Sequence, residues 1–196
     1  MKHLLLFAAT TVSILTTKAF AQTERFLVNL KSSSVEWIAG KVTGQHSGTV
    51  HLKSGFLDFE GAAIKNGAFE MDMKSMAVTD IKGSSAANLL NHLQGEDFFF
   101  VSKHPVSNFQ ITQISSTGPN SANITGNLTI KGITNTITFP ATVKRQKNAV
   151  VAVAKGIKVD RTKYDIKYRS KSFFGDIGDK AIDDEFVLNV NLVAKR

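Results

Sequence analysis

Apolar side chains recur at every second position along most of this chain, and that spacing limits its fold more than any other feature. Phe69-Glu70-Met71-Asp72-Met73-Lys74 alternates strictly between apolar and charged. Ile124, Leu128 and Ile130 share one parity, with Asn127 and Thr129 on the other. Ile137, Phe139 and Val143 repeat the spacing. Near the end, Phe186, Leu188, Val190 and Leu192 face one way, with Asn189 and Asn191 opposite. Successive side chains of a strand point to opposite faces, so the pattern predicts strands with one apolar face. Turn residues every ten or so positions make the arrangement antiparallel and the fold class all-β. Asn66-Gly67 reads as a two-residue hairpin turn, and Lys131-Gly132 turns the chain again.

One stretch departs from period two. Ser84 stands as a cap before helix-compatible residues with apolar positions at 86, 89, 90 and 93, which predicts one short helix ending near Gly95. Phe98, Phe99 and Phe100 follow at once, and three adjacent Phe cannot share one face of a strand. This corner therefore needs apolar surroundings on several sides, as a plug at one end of a barrel has.

Strands with one apolar face must wrap it around something. A sandwich fills its interior with interdigitating side chains, whereas a closed barrel of about eight strands is filled or holds a small ligand. Parity nominates Phe69, Met71, Met73, Phe109, Ile111, Phe139, Phe186 and Leu188 for the interior. Methionine re-packs around irregular shapes, so Met71 and Met73 suit a lining that meets a flexible hydrocarbon. A plainly filled core satisfies the same pattern. Between 155 and 171, Tyr164, Ile166 and Tyr168 share one parity, while Lys163, Asp165, Lys167, Arg169 and Lys171 share the other. The expectation is a strand with two tyrosine rings inward and a basic row outward. That row is a solvated face or a patch that attracts phosphate or an anionic membrane surface.

The first residues carry a processing signal rather than part of the fold. Met1-Lys2-His3 precedes an apolar run from Leu4 to Leu15, and Ala19-Phe20-Ala21 supplies small residues for a cut after Ala21. The expectation is a cleaved signal peptide over 1–21, a periplasmic or secreted product, and one domain over 22–196. The formal charge is +8, and Lys2 and Lys18 leave with the signal, so the remainder stays basic. Nucleic acid is not the expected partner, because no basic stretch is laid out beside stacking aromatics. The chain has no cysteine, which excludes disulfides, thiol catalysis and zinc–cysteine sites. His46, His51, His92 and His104 form no metal-ligand spacing, and no nucleophile elbow, zinc-protease motif or phosphate loop occurs. No catalytic residue, metal or required cofactor is expected.

Several blocks then fall in a telling order. Trp37 is followed by His46-Ser-Gly-Thr-Val, Gly55-Phe-Leu-Asp-Phe and Phe69-Glu-Met-Asp-Met. His92-Leu93, Phe98-Phe99 and His104-Pro105 come next. Gly126-Asn-Leu-Thr-Ile-Lys-Gly-Ile-Thr, Asp160-Arg-Thr-Lys-Tyr-Asp-Ile and Ile182-Asp-Asp-Glu-Phe close the series. In this order and spacing the chain resembles the YceI-like family of bacterial polyisoprenoid-binding proteins. The resemblance implies a lipocalin-like, eight-stranded antiparallel barrel with a helix, exported, whose interior holds an isoprenoid tail such as that of a quinone or a polyprenyl phosphate. Trp37, Phe98, Phe99, Tyr164 and Tyr168 join the parity set as its expected lining. His46, Arg161 and Arg169 are the headgroup candidates, because Gln94-Gly95 stands where many relatives carry a basic residue after His-Leu. The competing reading is a stress-associated interaction module with a filled core and no ligand. A homodimer is compatible with either.

Overall fold

A computed structural model describes residues 22–175 and 177–196; the expected signal peptide lies outside the described residues. The alternating segments form nine strands: β1 (Thr23–Val28), β2 (Ser34–Lys41), β3 (Gly44–Glu60), β4 (Ala63–Val78), β5 (Val106–Gly118), β6 (Ser121–Ile130), β7 (Ile133–Arg145), β8 (Ala149–Asp160) and β9 (Ile182–Lys195). Helix α1 (Gly83–Gln94) lies between β4 and β5. The hydrogen-bonded order β1-β3-β2-β9-β8-β7-β6-β5-β4 closes on itself through β3 and β4. β1 and β2 pair with successive parts of β3, Thr23 opposite Glu60 and Val35 opposite Val50, so together they form a single interrupted stave. The result is a closed eight-stave antiparallel barrel with one helix, as the resemblance implied.

Lys131-Gly132 makes the β6–β7 turn with both φ angles positive, 52° and 76°, the type I′ geometry that matches strand twist. Asn66-Gly67, by contrast, makes no turn. The β3–β4 connection lies at Gly61 and Ala62, and Asn66-Gly67 sits inside β4 opposite Asp58 and Leu57. Glycine at 67 leaves room for its neighbours, since a side-chain carbon there would meet Leu57 Cδ2 at 2.8 Å and Ile111 Cδ1 at 2.9 Å. Its smallness, not its freedom at positive φ, is what the position uses.

Helix α1 covers one barrel end, called here the upper end. Lys82 stands at its N-cap without a side-chain bond, so Ser84 lies inside the first turn instead of capping it. Leu93 is buried, and Ala86, Leu89 and Leu90 are half-buried on the same side. Beyond Gly95 the chain turns through Phe100, where φ is 45° and the amide donates to the Gly95 carbonyl at 2.8 Å. That turn aims Phe98 and Phe99 inward and leaves Phe100 against the ring of His104, 6.1 Å away.

The lower end is shut by packing. Phe26 and Phe59, 0% and 1% exposed, meet edge to face with centroids 5.4 Å apart. The Arg145 guanidinium lies 5.1 and 4.9 Å from those two rings. It is held there by Glu24 at 2.8 Å and by a bond donated to the Gly61 carbonyl. Cation–π contact lets a charged group seal an apolar floor without losing its counter-charge.

Past β8 the expected strand ends early. The backbone leaves the sheet at Asp160, whose carboxylate accepts the Thr162 amide at 2.9 Å, and Arg161–Tyr164 forms a 3-10 turn. Positive φ at Asp165 and Arg169 keeps it irregular. Burial still alternates as the parity indicated: Tyr164 and Ile166 are buried, Tyr168 is half-buried, and the charged residues between them face solvent. The sorting of residues was encoded by polarity alone, and the strand was not.

Candidate functional site

The inward faces do not meet. They leave a cavity in two lobes that share Val35, Met71, Leu128 and Leu188 as a waist. The lower lobe is bounded by Val, Leu, Ile, Phe, Met and Ala alone. The upper lobe reaches the underside of α1 and adds Ser107, Arg161 and Asp183 to its border. An apolar lining with a few polar groups at one end is the composition of a site for an apolar ligand.

The hollow has a cause in the sequence. Three aromatic rings that would otherwise project into the lumen lie back against glycines. Trp37 pairs directly with Gly48, where a side-chain carbon would sit 2.5 Å from Trp37 Cζ2. Phe69 pairs with Gly55, and a carbon there would be 2.7 Å from Phe69 Cδ1. Phe109 covers Gly126, with Cε2 2.6 Å from the same hypothetical atom. Ring faces thus become wall instead of filling.

All the expected lining residues border one lobe or both, except the two tyrosines. Phe69, Phe109, Ile111 and Phe139 lie on the lower lobe; Trp37, Met73, Phe98, Phe99 and Phe186 on the upper; Met71 and Leu188 on both. Tyr164 is buried beside the cavity, not on it. Its hydroxyl has no hydrogen-bond partner among the described residues, and burial, aided by the charge of Asp160, pushes its pKa up to about 12. Tyr168 packs on His92 and Phe98, with centroids 4.7 and 5.6 Å away, outside the lining. Both corrections follow from the 3-10 turn that replaces the expected strand. Parity had also left unnamed the small aliphatic residues of β7 and β8, Ala141, Ala152 and Ala154, which border the lower lobe. A residue too short to reach the barrel axis leaves no aromatic or methionine signal.

The headgroup candidates separate. Arg161 borders the upper lobe, but its Nε donates to the Asp183 carbonyl at 2.9 Å, Nη1 to Ile166 at 2.8 Å and Nη2 to Ile182 at 3.0 Å. It fastens the 161–182 loop to β9, and burial lowers its pKa against the raising effect of Asp184, Asp160 and Asp183. His46 is off the lining; its Nδ1 lies 2.9 Å from Asp80 Oδ2. Arg169 is exposed, 5.1 Å from the Tyr168 ring. The buried indole N–H of Trp37 has no acceptor among the described residues. No three His, Asp or Glu side chains among those residues converge as metal ligands do.

A closed antiparallel barrel with an apolar, two-lobed lumen defines a protein of the lipocalin-like fold class. A sequence model of the YceI-like domain matches residues 26–194, and the chain belongs to the YceI-like family. A UPF0312 protein of Pseudomonas paraeruginosa is 32% identical over 112 residues, 53% of this chain and 55% of that one; the chain spans about half the length of the curated relatives it matches. Among solved structures, Burkholderia cenocepacia BcnA superposes with a TM-score of 0.69 at 22% identity, over 86% of this chain and 99% of that one. A polyisoprenoid binding domain from Saccharophagus degradans, described as implicated in plant cell wall breakdown, superposes with a TM-score of 0.63 at 9% identity, over 87% and 97%. At such identities the structures share the fold.

Proposed function

We propose that this protein is an exported carrier or reservoir that encloses the tail of a long-chain isoprenoid, a quinone or a polyprenyl phosphate, and shields it from water. The observation that carries the reading is the pair of apolar lobes beneath α1, which share Val35, Met71, Leu128 and Leu188. The polyisoprenoid binding domain of like fold supports it. Binding needs no covalent step. Burying about ten methylenes at ~0.8 kcal/mol each contributes roughly 8 kcal/mol before ordering costs, on the micromolar scale, and a longer tail offsets the entropy of straightening it. Basic side chains outside the barrel (Lys163, Lys167, Arg169 and Lys171) suit approach to an anionic membrane surface, where the guest resides.

Native mass spectrometry of gently purified protein, with solvent extraction of the same sample, tests the reading. The expected result is a co-purifying prenyl lipid. A barrel that emerges empty from several hosts overturns it.

A further inference from the structure

With the upper end covered by α1 and the Phe98-Phe99 corner, and the lower end shut by Arg145 over two phenylalanines, a guest needs another way in. The wall between β7 and β8 supplies one. Their ladder runs only from Thr142 opposite Val153 to Arg145 opposite Val150. Above it, β7 continues for nine further residues and β8 for seven with no pairing between them.

Two residues end the ladder at that level. The type I′ turn at Lys131-Gly132 makes Ile130 and Ile133 a hydrogen-bonded pair, so the odd-numbered amides of β7 point to β6 and the even-numbered ones to β8. The Val143 amide, which donates to Asn120 at 2.7 Å, agrees with that phase. Pro140 is even. The first donor β7 would offer β8 above Thr142 is therefore missing, which is the position at which proline is tolerated in a sheet. Opposite it, β8 bulges at Lys155-Gly156, between Ala154 and Ile157, and a bulge bends its strand away from the regular ladder.

The opening is bounded at its top. Asn135 Nδ2 donates to the Lys163 carbonyl at 2.9 Å, and Lys131 Nζ to that of Asp165 at 3.1 Å. Between this latch and the ladder, Thr136 to Ala141 spans roughly 20 Å of strand. The lower lobe reaches the gap: Ile137, Phe139 and Ala141 border it from β7, Ala154 and Ile157 from β8. Val153 borders the lobe as well, although its parity, shared with exposed Val151, points it outward. Two other breaks in the wall are stitched. Where β4 and β5 part, Gln110 Nε2 donates to Asn66 Oδ1 at 2.8 Å and to the Gly67 carbonyl at 3.3 Å. Between β1 and β2, the Asn29 amide donates to the Val193 carbonyl at 2.7 Å and Ser33 Oγ accepts the Val193 amide at 3.0 Å.

We infer that the unpaired stretch of β7 and β8 is a side window through which a linear apolar chain, the tail of an amphiphile, passes into the lower lobe. The inference rests on the lipid-enclosing reading and adds the route. Because the bordering groups are apolar inside and the lobe holds no polar side chain, the tail enters and the polar head stays outside.

The chain has no cysteine, so an introduced one is labelled uniquely. Lys155→Cys, on the exposed bulge, is coupled to a bulky maleimide; Asn91→Cys, on the exposed face of α1, is the comparison. The probe is a two-unit prenyl chain carrying a dansyl group as its head, read by stopped-flow energy transfer from Trp37, the single tryptophan. The window predicts that the Lys155→Cys conjugate slows association and dissociation together by tenfold or more, with affinity held within twofold, while the Asn91→Cys conjugate leaves both rates unchanged. Unchanged rates in the Lys155→Cys conjugate, with binding intact, overturn the window and leave the lipid reading standing. A wild-type protein that never binds the probe or any other prenyl lipid overturns both. Pro140→Val, which restores an amide facing β8, gives a second measure without a label: slower uptake is expected, and uptake at the wild-type rate with new exchange protection in β7 counts against the route.

Discussion

Replacing Phe139 with alanine separates a hollow barrel from a filled one, and the comparison is with Phe59. Phe139 is half-buried, with the Phe109 ring 5.5 Å away on one side and the lower lobe on the other. Removing its ring widens a space that already exists. Little packing is lost, and the cost is the transfer term for a partly buried ring. Full burial of phenylalanine is worth about 1.5–3 kcal/mol, so a half-buried one loses roughly 1–1.5 kcal/mol. Phe59 is 1% exposed, edge-on to Phe26 and under Arg145. Truncating it opens a new void among groups that cannot all relax, at a cost of about 3–5 kcal/mol. For a chain of this length each kcal/mol moves Tm by about 2–4 °C, so Phe59→Ala should melt several degrees below Phe139→Ala. Urea and thermal unfolding of delipidated proteins measure the stability arm, and quinone titration against Trp37 fluorescence measures the binding arm. Phe139→Ala should weaken binding about tenfold, the equivalent of ~1.4 kcal/mol of lost contact with the tail. Equal destabilisation by the two substitutions, with no binding difference, would refute the reasoning and return the interior to an ordinary core.

Gly55→Ala should push the Phe69 ring off the wall and into the lower lobe, costing about 1–3 kcal/mol of stability and weakening quinone binding; adding Phe69→Leu should restore binding, and failure of that rescue would remove the glycine–ring account. Arg25 holds Asp58 through paired bonds of 2.7 Å from Nε and Nη2, and this keeps the carboxyl below the usual carboxylate range. The stabilisation is whole above the unfolded pKa of about 3.9 and is lost as pH falls through the lower folded value. Unfolding titrations should therefore show the difference between wild type and Arg25→Met shrinking from pH 5 to pH 2; a constant difference contradicts the pairing. Tyr164→Phe removes a buried hydroxyl without a partner and should leave stability unchanged or raise it by up to about 1 kcal/mol. The Tyr164 pKa of about 12 makes its share of stability complete below pH 10 and lost as pH rises toward 12, so Tyr164→Phe should flatten the alkaline limb of the stability profile.

Much of this architecture is written at the level of polarity, because a strand with one wet face has only one way to sort its side chains. That is why Phe69, Met71, Phe139 and Leu188 were assignable to the interior from spacing alone. Where a residue serves a purpose other than patterning, spacing misleads. Gly67 resembles half of a hairpin turn but exists to clear Leu57 and Ile111. Tyr164 keeps the parity of a strand that had ended four residues earlier, because burial in a 3-10 turn followed by an irregular loop happened to retain period two. The emptiness of the lumen was illegible for a deeper reason. It depends on which glycine lies beside which ring, a matter of the register between neighbouring strands, and the alternation within either strand does not record that Trp37 meets Gly48 or that Phe109 lies over Gly126.

The arginine-capped floor has a consequence for what such a vessel can hold. From Met76 beneath the helix to Ile64 near the base, the lumen follows β4 for a length that strand rise and an ordinary barrel tilt convert to roughly 30 Å. In the carrier reading, a lumen shut at both ends limits its guest: short tails leave part of the bore vacant, and tails beyond that length must double back or trail out through the wall. In that reading Arg145, held over Phe26 and Phe59, fixes the stop at which tails of different lengths must end.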